Sequence, residues 1–364
     1  MLKQALKILN KIEENGHVAY IVGGFVRDYI LGINSKDVDI TTSATPKELM
    51  EIFKGSVLPK EQYGSVTIFI KNDRFEITTF RRELKYINNR KPIEIEYIDS
   101  LLDDLSRRDF TMNTLCMNKN GAIIDLLGGK KDIERKIITT VGNSNEKFSQ
   151  DSLRILRAIR FATTLNFTLC DEIKDAIIIN KHLLRNLSYS RKKQELDRIF
   201  SSNNSNYGVQ LLLDLGVDKE LEIYNLDKIN LNNDIIGIWA SLEVSDKYEQ
   251  EFLHSEREII RDVKEILKTG ITNYTLYKYG LYANQIVANM FNLDKSDVVG
   301  IYEKMPIKNR KEINISSEDL QNELNIAPGP IYKAIYTDIE KKILLDILKN
   351  DKEAIIEYIK ANYC

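Results

Sequence analysis

The pattern of apolar and polar positions divides the chain into a front part that mixes strands with helices and a back part that is helical throughout. Residues 1–15 are amphipathic and stop at Gly16, which predicts a helix and not a cleaved leader. Tyr20–Val22 reads as a buried strand, Gly23–Gly24 as a turn, the next residues as a short helix, and the stretch through Asp37, Asp39 and Thr41 as a second strand. T-P-K-E-L-M-E-I-F predicts a helix with Thr45 at the N-cap and Pro46 at the first helical position. G-S-V-T-I-F-I and R-F-E-I-T-T-F alternate and are rich in β-branched residues, so they predict an adjacent strand pair. The polar, basic run that follows, with Asn88, Asn89 and Pro92, predicts a surface loop. F-T-M-N-T-L-C-M predicts the start of a buried helix, and D-L-L-G-G-K-K-D-I-E-R-K-I-I a strand, a glycine turn and a short helix.

From Phe148 the period changes. Leu153, Ile155, Leu156 and Ile159 share one helical face, Arg154 and Arg157 fall opposite, Asp151 lies in the first turn and Ser149 is placed to cap it. Beyond Phe167 helix follows helix without a detectable repeat, and Pro328–Gly329–Pro330 marks a turn between helices of the tail.

The candidate chemistry gathers in the front part. Residues i and i+2 of a strand project to the same face, so Asp37 and Asp39 stand side by side. Two carboxylates that close repel unless a cation joins them, and hard oxygen ligands suit Mg²⁺ shared with substrate phosphates. Gly23 and Gly24 let backbone N–H groups approach a phosphate at a helix N-terminus, and Arg27 lies one turn further on. Glu76, between Phe75 and Ile77, is either the outward face of an edge strand or a third carboxylate beside the pair. Asp151 and Arg154 are either an i,i+3 salt bridge or a functional pair. Arg191, Lys192 and Lys193, next to Tyr189, are either a solvated helix face or a contact for RNA phosphates.

Composition narrows the partners. The 364 residues are 43% hydrophobic and 29% charged, as in soluble globular proteins. A net charge of −2 excludes a global basic field, so a nucleic acid must meet a local patch. Cys116, Cys170 and Cys364 lack metal-ligand spacing and an even count, which points to a reducing cytoplasm, and His17, His182 and His254 are too far apart in sequence to suggest a metal cluster. No apolar run is long enough to span a bilayer, so no membrane partner is expected.

G-G-F-V-R-D followed by K-D-V-D-I-T-T resembles the polymerase-β-type nucleotidyltransferases, and specifically the class II tRNA nucleotidyltransferase and bacterial poly(A) polymerase family. R-R-D-F-T-M-N and Q-D-S-L-R are similar to that family's second motif and its E-D-x-x-R motif, and L-x-I-x-P-G-P resembles its C-terminal region. The resemblance implies an α+β fold: a small mixed sheet in a head over residues 1–140, then an all-α neck (141–205), body (206–300) and tRNA-binding tail (301–364). It implies addition of C, C and A to the 3′ end of tRNA from CTP and ATP, without a template, by two-metal transfer with release of pyrophosphate. Asp37 and Asp39 would bind Mg²⁺ and Glu76 complete the site. Gly23, Gly24, Arg27 and Arg108 would hold the triphosphate, with Asp109 orienting it.

Asp151 and Arg154 would read the base, assisted by Arg157 and Arg160. Cytosine and adenine both present an amine donor beside a ring-nitrogen acceptor, which a carboxylate and a guanidinium match. Guanine and uracil present the reverse and leave charged groups mispaired, at roughly 1.5–3 kcal/mol each. The chain departs from the family at Gln150, where a glutamate usually braces the arginine, and in N-N-R-K-P, where relatives more often carry D-G-R-x-P in a flexible loop that serves the final adenosine. The other readings are a poly(A) polymerase, an enzyme adding only A or only CC, and a non-catalytic tRNA-binding protein.

Overall fold

The structure, a computed structural model, describes residues 1–35, 37–54, 57–60, 64–70, 73–87 and 91–363, with backbone alone at 57–60, 85–87 and 91–94. Two compact units divide the chain, Met1–Tyr224 and Asn225–Cys364.

The first unit opens with α1 (Leu2–Glu14), which buries Ala5, Ile8, Leu9 and Ile12 along one stripe. Then come β1 (Ala19–Val22), α2 (Gly24–Leu31), β2 (Val38–Thr42), α3 (Pro46–Ile52), β3 (Val57–Lys60), β4 (Ser65–Ile70) and β5 (Asp73–Thr79). The α3 start is as read: Thr45 caps it in a reciprocal box with Glu48, and Pro46 occupies the first turn. Seven strands among the described residues form one sheet in the order β3-β4-β5-β2-β1-β8-β9, where β8 is Cys116–Met117 and β9 Ile123–Ile124. The sheet is mixed: β2 and β5 run parallel, and their neighbours are antiparallel. This is the α+β head expected.

Four local expectations are corrected. The run after Thr79 is not a loop but a hairpin, β6 (Arg81–Ile87) against β7 (Lys91–Tyr97); residues 88–90 lie outside the described residues. Its strands alternate like any strand, yet carry charge on both faces, and Pro92 is tolerated because each strand of a two-stranded sheet is an edge. F-T-M-N-T-L-C-M does not start a helix. After α4 (Leu101–Ser106) the chain makes one 3₁₀ turn, Thr111–Asn113, and returns to the sheet as β8. α5 (Gly129–Arg135) packs on that turn, and a Cβ placed on Gly129 would lie 2.3 Å from the Thr111 carbonyl oxygen.

The helix read from Phe148 onward is two helices, α6 (Ser144–Gln150) and α7 (Leu153–Leu165). The break is at Asp151, whose Oδ1 takes the Leu153 N–H at 3.1 Å and so competes with the helical ladder. Ser149 is therefore not an N-cap but lies inside α6, which Asn143 caps; its hydroxyl donates to the Glu146 carbonyl. β10 (Ile137–Ile138) pairs with β11 (Thr168–Leu169), and α8 (Asp171–Asn180), α9 (Tyr189–Phe200) and α10 (Ser205–Asp214) complete the unit.

The second unit is helical: α11 (Ile235–Ser241), α12 (His254–Thr269), α13 (Asn273–Met290, interrupted at Gly280), α14 (Lys295–Glu303), α15 (Ser317–Asn322), α16 (Pro330–Leu344) and α17 (Lys352–Tyr363). Val263, Ile266 and Val287 form one core cluster; Leu320, Ile335, Ile339 and Ile355 belong to another. Pro330 begins α16, so the Pro–Gly–Pro turn falls where expected. No helix of the described residues is long and apolar enough to cross a membrane.

Candidate active site

The carboxylates are set by strand register. Asp37 immediately precedes β2, and Asp39 is its second residue. On one side Asp39 pairs with Val22 of β1, and on the other with Glu76 of β5. Residues in register on neighbouring strands face the same side of a sheet, so Glu76 stands beside Asp39. Asp39 is solvent-accessible, yet the protein around it is the largest influence on its carboxyl and raises it above the usual range; Glu76 and Asp37 push the same way, against Arg108. Glu76 accepts from Ser65 Oγ at 3.4 Å and lies 3.5 Å from Arg74. Arg108 and Arg74 offset part of the repulsion, and among the described residues no three acidic side chains converge closely enough to hold an ion by themselves; these hard oxygen donors instead suit a divalent cation that phosphates help to ligate.

The glycine turn lies against the arginines. Gly23 has φ 83°, a conformation that side chains disfavour, and a Cβ there would sit 3.5 Å from Arg108 Nη1. A Cβ on Gly24 would sit 3.6 Å from Arg27 Nη2. Arg108 pairs with Asp104 at 3.5 Å. Asp104 is fully buried and also takes Arg107, the Arg81 N–H and the hydroxyl of Thr41, which lies on β2 two residues beyond Asp39. Burial would raise its carboxyl, but Arg107 and Arg108 outweigh that and hold it below the usual range. Asp104 thus ties β2 to the two arginines.

Arg27 is buried; Asp28 takes its Nε and Nη2, and Asn113 Oδ1 takes its Nη1 at 2.8 Å. Asp109 accepts from the Phe110 N–H, from Asn113 Nδ2 at 3.1 Å and from Arg157 Nε at 2.7 Å. Both its oxygens are engaged, so it faces Arg157 and does not lie open beside a triphosphate. Burial pulls its carboxyl up, but Arg157 and these hydrogen bonds hold it well below the usual range.

Arg154, Arg157 and Arg160 do not form the solvated face that the helical period suggests. Arg154 and Arg160 are buried, and Arg157 is half-buried. Arg154 donates through Nη1 to the Lys147 carbonyl at 3.2 Å and to Gln150 Oε1 at 3.3 Å, and through Nη2 to the Arg107 carbonyl at 3.2 Å. Gln150 therefore braces Arg154 without charge. Asp151 makes no ion pair with Arg154 among the described interactions; its other oxygen faces Arg191 at 3.7 Å. Burial raises the Asp151 carboxyl, against the pull of Arg191. Arg160 lies 2.8 Å from Glu195, off the direction of a hydrogen bond, and burial brings it down to about 10. Buried Lys147 donates to the Ser106 carbonyl at 2.7 Å, and burial brings it down to about 8.

The basic cluster on α9 is likewise not a solvated face. Lys192 is 1% exposed with Nζ 4.5 Å from the Tyr189 ring centroid, Lys193 pairs with Asp197 at 2.8 Å, and Arg191 turns toward Asp151. Lys192 is thereby removed as a surface phosphate contact.

Sequence reasoning missed Asp104, Asn113, Phe161 and Glu195. Asn113 ends the R-R-D-F-T-M-N string and Phe161 follows Arg160, so position next to recognised motifs was the available signal.

The chain is similar to known proteins along its whole length. The family pattern described as Poly A polymerase head domain matches residues 19–139, that of the probable RNA and SrmB-binding site of polymerase A residues 166–221, and that of tRNA nucleotidyltransferase domain 2, putative, residues 234–359. It is 35% identical to the CCA-adding enzyme of Ligilactobacillus salivarius, covering 98% of this chain and 96% of that one. It is 34% identical to the CCA-adding enzyme of Anoxybacillus flavithermus, covering 99% and 97%. The crystal structure of the Bacillus stearothermophilus CCA-adding enzyme in complex with CTP superposes with a TM-score of 0.81 at 26% identity, over 99% of this chain and 97% of that one. The Thermotoga maritima CCA-adding enzyme complexed with tRNA shares the fold, with a TM-score of 0.71 at 23% identity over 98% and 95%.

Proposed function

Since this chain belongs to the CCA-adding enzymes, which are tRNA nucleotidyltransferases, we propose that it adds C, C and A to the 3′ end of tRNA from CTP and ATP without a template, in the cytoplasm. The observation that carries the reading is the register of Asp39 with Glu76, one strand from a glycine turn lined by Arg108. The reaction class is in-line transfer of the two-metal kind: the terminal hydroxyl of the tRNA attacks the α-phosphorus, the bond to the bridging oxygen breaks, and pyrophosphate leaves.

Asp37 and Asp39 would hold Mg²⁺, with Glu76 completing the acidic face. When bound, such ions neutralise phosphate charge and lower the pKa of the attacking hydroxyl. Gly23 and Gly24 open the N-terminal end of α2 to the triphosphate, and Arg27 and Arg108 face the same space. Asp109 orients the site through Arg157. Asp151 and Arg154 pair with the base, with Arg157 and Arg160 beside them; Gln150 and two carbonyls keep the Arg154 guanidinium from rotating. Arg191 acts on Asp151, while Lys193, which pairs with Asp197, and the helical tail would meet tRNA phosphates. The head, neck, body and tail divide at about the boundaries given above.

Incubating the protein with tRNA lacking its 3′ end and with CTP, ATP or both tests this. Growth by three residues only when both are present is expected. CTP alone should add no more than two residues and ATP alone none; a long A tract from ATP, growth that stops at two residues with both present, or growth only on tRNA already ending in CC would replace the reading with a poly(A) polymerase or a partial enzyme.

A further inference from the structure

Arg27 on α2 and Arg157 on α7 carry like charges, yet both guanidinium groups lie over one ring, 5.0 and 5.4 Å from the Phe161 centroid. The hydrogen bonds link them through Asn113 and Asp109. Asn113 is 6% exposed; its Oδ1 accepts from Arg27 Nη1 at 2.8 Å and its Nδ2 donates to Asp109 Oδ1 at 3.1 Å. Asp109 Oδ2 then holds Arg157 through Nε and Nη2. Only one orientation of the amide serves both sides. Rotated by half a turn, its NH₂ would face a guanidinium and its oxygen a carboxylate. The 3₁₀ turn that presents it is fixed from below by Gly129 against the Thr111 carbonyl.

We propose that Asn113 is a positioning residue that sets the distance between Arg27, on the phosphate side, and Arg157, on the base side, so that triphosphate and base are engaged at one separation. The inference rests on the nucleotide-binding reading above. Asn113 acts through these neighbours, since both atoms of its amide are engaged, one by Arg27 and one by Asp109.

A double-mutant cycle tests it, with CTP affinity and thermal melting measured on every member. In the natural background, Arg27→Gln and Arg157→Gln should be non-additive in CTP Kd by about fivefold, as for residues sharing one network. With Asn113→Leu the two should become additive within about twofold. Asn113→Leu alone should weaken CTP binding by about tenfold or more, the scale of losing a hydrogen bond to a charged group. If Asn113→Leu does not fold, Asn113→Ser, polar and too short to bridge, carries the same expectations. Unchanged CTP affinity, or the same non-additivity with and without Asn113, overturns the proposal. A natural protein that binds no CTP overturns the nucleotide reading instead; the melting-temperature cycle then decides whether Asn113 couples the arginines.

Discussion

Asp39 and Glu76 stand in register across the one parallel pair among the described strands of the large sheet. Neither belongs to a motif with the other; the sheet alone makes them neighbours. Asp39→Asn should cut nucleotide incorporation by about two orders of magnitude or more, the scale of losing several kcal/mol of charge stabilisation at phosphorus. Removing one of the mutually repelling carboxylates should leave the metal-free melting temperature at or above that of the natural protein. Incorporation assays with Mg²⁺ and melts with a chelator check both. A variant that retains a tenth of the activity would show that Asp39 is no ligand.

Asp109 gives a pH dependence with a definite sign. Its folded carboxyl lies below the ordinary value, so its contribution to stability is full above the usual carboxylate range and is lost as pH falls through the folded value. Asp109→Asn should cost roughly 2–4 kcal/mol at neutral pH, less than a fully buried pair because a third of the Arg157 side chain remains in solvent. Its stability should also fall less steeply than that of the natural protein on acidification. Urea denaturation from neutral pH down into the acid range measures both effects, and parallel curves would remove the Asp109–Arg157 pair from the account.

Base choice should depend on Asp151 more than triphosphate binding does. Asp151→Ala should lower discrimination against UTP and GTP by about one to two orders of magnitude, the worth of one charged hydrogen bond. Gln150→Glu, which gives Arg154 a charged brace at the existing 3.3 Å contact, should sharpen discrimination by a few fold. Single-nucleotide incorporation from each of the four triphosphates is the measurement. An Asp151→Ala enzyme that still excludes UTP and GTP as the natural one does would contradict base reading by this pair.

Lys192 separates packing from RNA contact. It is 1% exposed, so Lys192→Ala should lower the melting temperature by several degrees and leave the salt dependence of tRNA binding unchanged. A true phosphate contact would reduce the log–log salt slope by about one. Binding titrations at a series of KCl concentrations, beside melts, distinguish the two.

The sequence showed most where one local rule decides. Thr45 and Pro46 start a helix because caps are local, and the strand around Ile77 alternates cleanly because one of its faces is buried. It failed where tertiary partners decide. The hairpin at Arg81–Tyr97 is charged on both sides, so no buried face marked it. Arg154, Arg160 and Lys192 look solvated on a helical wheel and are buried, because carbonyls, Glu195 and Tyr189 receive them. The motifs in the sequence named the residues proposed to face a nucleotide. Those that hold such residues in place, Asp104 and Asn113, take their meaning from partners distant in sequence.

Gly129 illustrates how such remote support would look to a geneticist. A side chain there would collide with the Thr111 carbonyl, part of the backbone of the very turn that presents Asn113. Relief requires moving that turn, and with it the hydrogen bonds to Arg27 and Asp109. In a saturation screen for activity, Gly129 would therefore behave like a substrate contact: intolerant of every replacement, alanine included, for a reason that lies in the packing beneath the turn. Neighbouring Gly128 has nothing within 4 Å of its own Cβ position, and only its φ of 78° limits what can replace it. The two adjacent glycines should thus part company, Gly128 tolerating asparagine and Gly129 nothing at all.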